Sequence, residues 1–254
     1  MSHAFFDRYT TLKTPVHMLD ARIKIAVALI LIVSTVSLPK YSFPVYAVYF
    51  AFIIAVTALA RVPFGYLFKR SLVVAPFALA AAVFMPFTIS GSGDAVFQAG
   101  PITAYHAGFM AFFNAVSKSY VGVLMVIALT AVTPFPKLLE GLERLRVPGM
   151  FVTLTGFTYR YLFVLIEEVK RMKRARDLRF YGGRWLWQAG TAGQMAGSLF
   201  LRSFERGERV YNAMLSRGFD GVFRGGSGRP LNGMDWSALI ISTVFITGAR
   251  MLLK

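Results

Sequence analysis

Five apolar runs, separated by loops of unequal charge, restrict this chain to a bundle of membrane-scale helices. The runs are Ile23–Leu38, Tyr41–Ala60, Ser71–Ser90, a stretch within Ala107–Phe135 interrupted by Asn114, Ser117 and Lys118, and Met234–Leu253. A spanning helix needs about 20 residues, with about 17 at the lower end. The first run is therefore short, and is expected to be extended by its neighbours, tilted or partly interfacial. Of the 254 residues 56% are hydrophobic, yet the net charge is +16. The two occur together when basic loops line the cytoplasmic face of a polytopic membrane protein. No nucleic-acid partner is expected, because no basic patch sits in a soluble domain of its own. The absence of cysteine excludes disulfides, thiolate metal sites and cysteine nucleophiles. The first residues lack the pattern of a cleaved signal peptide.

The loops give an orientation. Arg8, Lys13, Arg22 and Lys24 precede or open the first run, and Arg61, Lys69 and Arg70 lie between the second and third. The loop between the first and second has only Lys40, and residues 91–106 hold no Lys or Arg. Positive residues mark the cytoplasmic side. The prediction is an all-α polytopic membrane protein. It has four spans in 1–135, a cytoplasmic region of two long helices in 136–233 and a last span in 234–254. The N-terminus is inside and the C-terminus outside, with Arg250 and Lys254 mildly opposing the rule.

The cytoplasmic region holds most of the charge. A short helical piece, Pro136–Leu145, is followed by Pro148, which suits a helix start because its missing N–H costs nothing there. A long helix is predicted from about Gly149 to Phe180, ended by Gly182-Gly183, and a second over Trp185–Phe219, ended by Gly218 and Gly221. Each begins apolar and ends charged. One pattern recurs in both: Glu167, Arg171, Ala175, Arg179, Gly183 and then Glu205, Arg209, Ala213, Arg217, Gly221. Steps of four stack side chains on one helix face, so each copy reads as a Glu–Arg pair, a small residue, an Arg and a terminating Gly. A chain that builds the same cationic end twice is suited to two equivalent partner surfaces. An Arg in the last turn also complements the helix macrodipole, but that explains one position and not five matched ones. The register pairs Arg179 with Arg217 and sets Met214 opposite Arg176, which selects Arg179 and leaves Arg176 as its rival. Ala189, Gly193 and Gly197 form a smooth stripe predicted to line a close crossing of the two helices.

Other polar residues point to no chemistry. Lys118 is expected to snorkel or to make an internal polar contact. His3, His17 and His106 are dispersed, and Glu167-Glu168 point about 100° apart on a helix. Asp7, Asp20 and Asp94 are scattered, against a membrane enzyme acting on lipid or prenyl substrates, which needs clustered carboxylates or histidines. A channel or secondary transporter needs polar residues within several runs, and only the fourth has them. There is no G-x-x-x-x-G-K-[ST] loop.

Four stretches, Pro15–Ile25 (PVHMLDARIKI), Thr133–Pro148, Phe157–Ala175 and Asn212–Phe219 (NAMLSRGF), resemble the transmembrane T component of energy-coupling-factor transporters, of the cobalt-type CbiQ family. The resemblance covers nearly the whole chain. It implies two coupling helices that cross on the cytoplasmic side, each ending in a three-residue motif with a central Arg that docks in one subunit of an ATP-binding-cassette ATPase dimer. Here the second motif is Ser216-Arg217-Gly218, close to the family's Ala-Arg-Gly, and the first is Leu178-Arg179-Phe180, which keeps only the Arg. It further implies a non-catalytic subunit without catalytic, cofactor or metal residues, ATP and Mg being bound by the partner ATPase. Its other partners would be a substrate-binding S component, a small accessory membrane subunit and the lipid bilayer of the bacterial inner membrane. The cargo it implies is cobalt for cobalamin biosynthesis, with nickel or a vitamin as alternatives.

Overall fold

The computed structural model describes residues 14–39, 42–88, 95–99, 102–179, 185–221 and 230–252. In chain order these form α1 (Pro15–Met18), α2 (Ala21–Val36), α3 (Phe43–Leu59), α4 (Phe64–Ala82), α5 (Met85–Thr88), β1 (Ala95–Ala99), β2 (Ile102–Tyr105), α6 (His106–Val132), α7 (Phe135–Arg144), α8 (Gly149–Leu178), α9 (Trp185–Leu215) and α10 (Gly233–Leu252). The fold is all-α apart from the antiparallel pair β1–β2, in which Ala99 faces Ile102. That hairpin lies in the stretch without Lys or Arg, where no period-2 pattern marked it. The chain divides into two compact units, Met1–Gly141 with Arg229–Lys254, and Leu142–Gly228.

In the first unit α6 is the central helix, packing on α2, α3, α4 and α5. Leu31, Val45, Tyr49, Ile53, Leu124, Ala128 and Ile246 are buried where the helices meet. Val33, Phe68, Leu72, Val73, Phe77, Ile241 and Val244 point outward and are more than half exposed. So much apolar surface on the outside of a helix bundle suits a hydrocarbon solvent rather than water. By length and composition α6 and α8 are long and apolar enough to cross a membrane, and α3 is a shorter apolar helix.

Polar side chains inside this unit join helices to one another. Tyr49, fully buried, shares a hydrogen bond with Ser34 (2.7 Å) and donates to the Ile246 carbonyl (3.1 Å), linking α2, α3 and α10. Tyr46 donates to Asn114 Oδ1 at 2.6 Å and so fixes α3 to α6. Such bonds hold helices together where burial from water supplies no drive.

Helix α2 has 16 residues, a rise of about 24 Å, and both of its ends are chemically closed. At its start Asp20 accepts the Arg22 N–H at 2.9 Å, satisfying a donor that the helix leaves over. At its end Lys118 Nζ donates to the Val36 and Leu38 carbonyls at 2.9 and 2.7 Å, and Arg250 Nη2 reaches the Ser37 carbonyl at 3.4 Å. Lys118 thus makes the internal polar contact expected of it, and Arg250, out of place by loop charge, lies beside the orphan carbonyls of α2. Asp235, near the start of α10, accepts the Asp20 N–H at 3.0 Å. With Arg250 at the other end, α2 and α10 therefore run parallel.

The third apolar run needs a correction. The helix begins at Phe64, straight after Pro63, and stops at Ala82, while Met85–Thr88 is separate. Lys69 and Arg70 consequently lie in α4 and not in a loop. Pro86 accounts for the stop, because it has no N–H for the Ala82 carbonyl and its ring would clash there. α5 then folds tightly onto α6 at Gly108, where an added Cβ would lie 2.6 Å from the Pro86 Cα and 2.8 Å from the Met85 carbonyl oxygen. Backbone cannot yield as a side-chain tip can. Gly108→Ala is therefore expected to lower stability by about 1–3 kcal/mol, the usual cost of overpacking. Gly122→Ala, at a site with nothing within 4 Å, should have no such effect. Thermal unfolding in detergent checks the pair, and equal midpoints would show that α5 can retreat.

Candidate docking ends on the two long helices

Helices α8 and α9 have 30 and 31 residues and form an antiparallel pair. Val169, Met172 and Arg176 of α8 lie beside Ala192, Met195, Ala196 and Leu199 of α9. Further along, Phe157, Tyr161 and Val164 line an apolar groove of about 410 Å³ with Gly207, Val210 and Met214. Between the two regions Glu168 receives Arg171 Nη2 at 2.5 Å and Arg202 Nη1, from α9, at 2.7 Å. Arg171, and behind it Arg202, hold the Glu168 carboxyl below the usual carboxylate range.

The duplicated stripe survives in part. Glu205 and Arg209 pair at 3.7 Å, exposed, as expected of i,i+4 partners. In the first copy Arg171 bonds to Glu168 instead of Glu167. The i,i+3 carboxylate faces α9, where Arg202 adds a second guanidinium, and the pair within one helix gives way to the bridge between two.

The end of α9 is closed by its own backbone. Gly218, at φ +79°, donates to the Leu215 carbonyl at 2.9 Å, and Phe219 donates to Met214 at 3.1 Å. This reciprocal closure requires a left-handed residue at the first position beyond the helix, which glycine adopts without penalty. Arg217 sits directly before that residue, exposed, on a turn that Ser216 tightens by donating to Asn212 (2.9 Å). Gly221, also at positive φ, belongs to the turn after the helix has ended. At the end of α8, Arg179 occupies the C-cap position, and its N–H bonds to the Arg176 carbonyl at 3.0 Å. Arg179 is exposed and Leu178 is 87% exposed. Phe180, Gly182 and Gly183 lie outside the described residues.

Arg176 differs from Arg179 in its surroundings. It donates to Asp177 Oδ1 through Nε (3.1 Å) and Nη2 (2.9 Å), its side chain is 20% exposed, and it flanks the crease against α9. Because the pair is antiparallel, Arg179 and Arg217 stand at opposite ends of it. The rise is about 16 Å from Glu168 to Arg179 and about 22 Å from Arg202 to Arg217.

The predicted crossing stripe is corrected. Ala189, Gly193 and Gly197 are exposed, and a Cβ at either glycine meets nothing within 4 Å. The face that meets α8 is that of Ala192, Met195, Ala196 and Leu199, turned by about 100° from the glycine stripe. Spacing alone identified a smooth stripe, but larger apolar side chains and the Arg202 bridge decide which face is covered. Glu168 and Arg202 were not singled out from the sequence as partners; charges of opposite sign on two adjoining helices were the available signal. Among the described residues no group of His, Asp and Glu is placed to hold a metal ion.

The CbiQ family, described as cobalt transport protein, matches residues 12–226, and the chain belongs to that family. A Methanocorpusculum labreanum protein named as a fused cobalt transport protein, CbiMQ, is 28% identical over 86% of this chain, which spans only 38% of that longer protein. The cobalt transport protein CbiQ of Rhodobacter capsulatus is 35% identical over 40% of this chain and 42% of its own. The energy-coupling factor transporter transmembrane protein EcfT of Heliobacterium modesticaldum is 27% identical over 94% of both. This is a helical membrane subunit of a transporter.

The Glu168 bridge predicts a pH dependence. A carboxyl held below its unfolded value contributes fully above that value, and its contribution is lost as pH falls through the folded one. Labels on α8 and α9 should therefore keep their separation at neutral pH and spread on acidification below the ordinary glutamate range. Glu168→Gln should spread them already at neutral pH. A separation unchanged by either would show that apolar contacts alone hold the pair.

Proposed function

We propose that the chain is the coupling subunit of an ATP-driven importer of the energy-coupling-factor type. It carries motion from an ATP-binding-cassette ATPase dimer to a substrate-binding membrane subunit, with a small accessory membrane subunit as a further partner. The observation that carries this reading is the pair of matched arginines, each exposed at the C-terminal end of a long helix, at opposite ends of one antiparallel pair. Two separated cationic ends fit two equivalent grooves on a dimer. Arg suits such a groove because its planar fork meets a carboxylate with two hydrogen bonds. Arg179 is favoured over Arg176, whose guanidinium is engaged by Asp177. Leu178, Phe180, Ser216 and Gly218 flank the two contacts.

Catalysis is assigned to the partner, which binds ATP and Mg; this chain holds no cofactor in the proposed scheme. Cobalt is the proposed cargo, supported by the names that relatives carry. The apolar runs and the loop charges support five spans in the inner membrane, with α8 and α9 on the cytoplasmic side. α8 joins that side despite its apolar first half, because Glu167–Asp177 is densely charged and bridged to α9.

Arg179→Ala and Arg217→Ala are each expected to weaken ATPase binding, and the double change nearly to abolish uptake. Truncating one member of a buried, hydrogen-bonded charge pair costs about 2–5 kcal/mol. Arg217→Lys should rescue only partly, since an ammonium cannot reproduce the fork. Co-purification in detergent and ATP-dependent uptake in cells check this, and parental behaviour of the double variant removes the reading. A reporter attached after Leu252 should label only from the outside, and labelling from the cytoplasm alone would contradict the proposed topology.

A further inference from the structure

We infer that the first turn of α2, Asp20–Ile25, is the mechanical seat through which motion of the coupling helices enters the membrane helices, an inference that rests on the coupling reading above. The chain passes between its two units twice, after Gly141 and before Arg229. Within the membrane unit both passages close on this same turn. At the first, Gly141 of α7 is buried against α2. A Cβ there would meet Ile25 Cδ1 at 3.0 Å, the Ala21 Cβ at 3.1 Å and the Ala21 carbonyl carbon at 3.3 Å. At the second, Asp235 is 3% exposed and accepts two backbone donors, Asp20 N–H on Oδ1 at 3.0 Å and Asn232 N–H on Oδ2 at 2.9 Å.

The turn itself is braced. Asp20 caps it through the Arg22 N–H, and Lys24 Nζ donates back to the His17 carbonyl at 3.2 Å. Of the residues that resemble the family's opening motif, Asp20 and Lys24 give side chains to this brace, and Arg22 and His17 a backbone N–H and carbonyl. A buried carboxylate satisfied by two backbone donors is expensive to displace from either. A glycine contact this close leaves no slack, and packed interiors transmit strain instead of absorbing it. A displacement that reaches Gly141 or Asp235 therefore moves α2. In turn α2 holds α3 and α10 through Ser34, Tyr49 and Ile246, and α6 through Lys118. Asp235 and Gly141 are positioning residues in this scheme, since neither touches a substrate or a nucleotide.

The test uses the full complex of this chain with its ATPase and substrate-binding subunits in liposomes, with radiolabelled cobalt(II) as the probe. Asp235→Asn keeps the side-chain shape but turns one acceptor into a donor. Gly141→Ala perturbs the other passage by one methyl group. Each variant is expected to assemble with the ATPase and hydrolyse ATP, while uptake per ATP hydrolysed falls about tenfold, within the usual range of coupling between sites. Uptake per ATP at the parental value in both variants overturns the inference. Loss of ATPase assembly in both assigns the turn to folding alone and overturns it equally. The coupling reading is tested by a separate arm: parental ATPase binding by the Arg179→Ala, Arg217→Ala double variant removes that reading and this inference with it.

Discussion

Closing the ends of α2 is the constraint on which the rest of the membrane unit depends. A short helix in apolar surroundings cannot leave its first N–H groups and last carbonyls to water. Here the local cap Asp20 is joined by side chains from distant parts of the chain. Asp20 and Asp235 act at the start, and Lys118 and Arg250 at the finish. These contacts fix more than two termini. They set α10 parallel to α2 and bring the middle of α6 to the end of α2. The same economy appears at Tyr49, where one hydroxyl serves three helices.

The coupling unit is organised by a different balance. Its two long helices run so that the apolar half of one lies along the charged half of the other, and one carboxylate, Glu168, takes a guanidinium from each helix. Exposed ion pairs contribute little to stability. Their worth here lies in register, since the bridge fixes which faces meet and so where Arg179 and Arg217 are presented. Backbone closure at Gly218 then holds Arg217 on a defined turn without spending a side chain on the cap. That arrangement leaves the guanidinium available to a partner.

Much of this was legible in the sequence. The apolar runs located α2, α3, α6 and α10, and Gly149–Leu178 and Trp185–Leu215 fall close to the two long helices read from periodicity. Pro148 and Gly218 mark a start and an end for reasons carried by single residues. What was not legible depends on neighbours distant in the chain. The glycine stripe of Ala189, Gly193 and Gly197 has the right spacing for a crossing, but only the partner helix decides which face is covered. Arg171 could choose between two adjacent glutamates, and Arg202 made the choice. Pro86 announced a break, yet hydropathy ran across it and hid the division between α4 and α5. Asp235 read as the edge of a span, because a carboxylate that accepts backbone donors from another segment leaves no local pattern.

The claim that matters most is that the ends of α8 and α9 meet an ATPase. The chain lacks cysteine, so single cysteines at Leu178 and Ser216 can carry a photo-activated cross-linker beside each arginine with no background. Each position should capture one ATPase subunit, and both together should capture two. Cross-links confined to lipid or to this chain itself, with the ATPase present and active, would contradict the account.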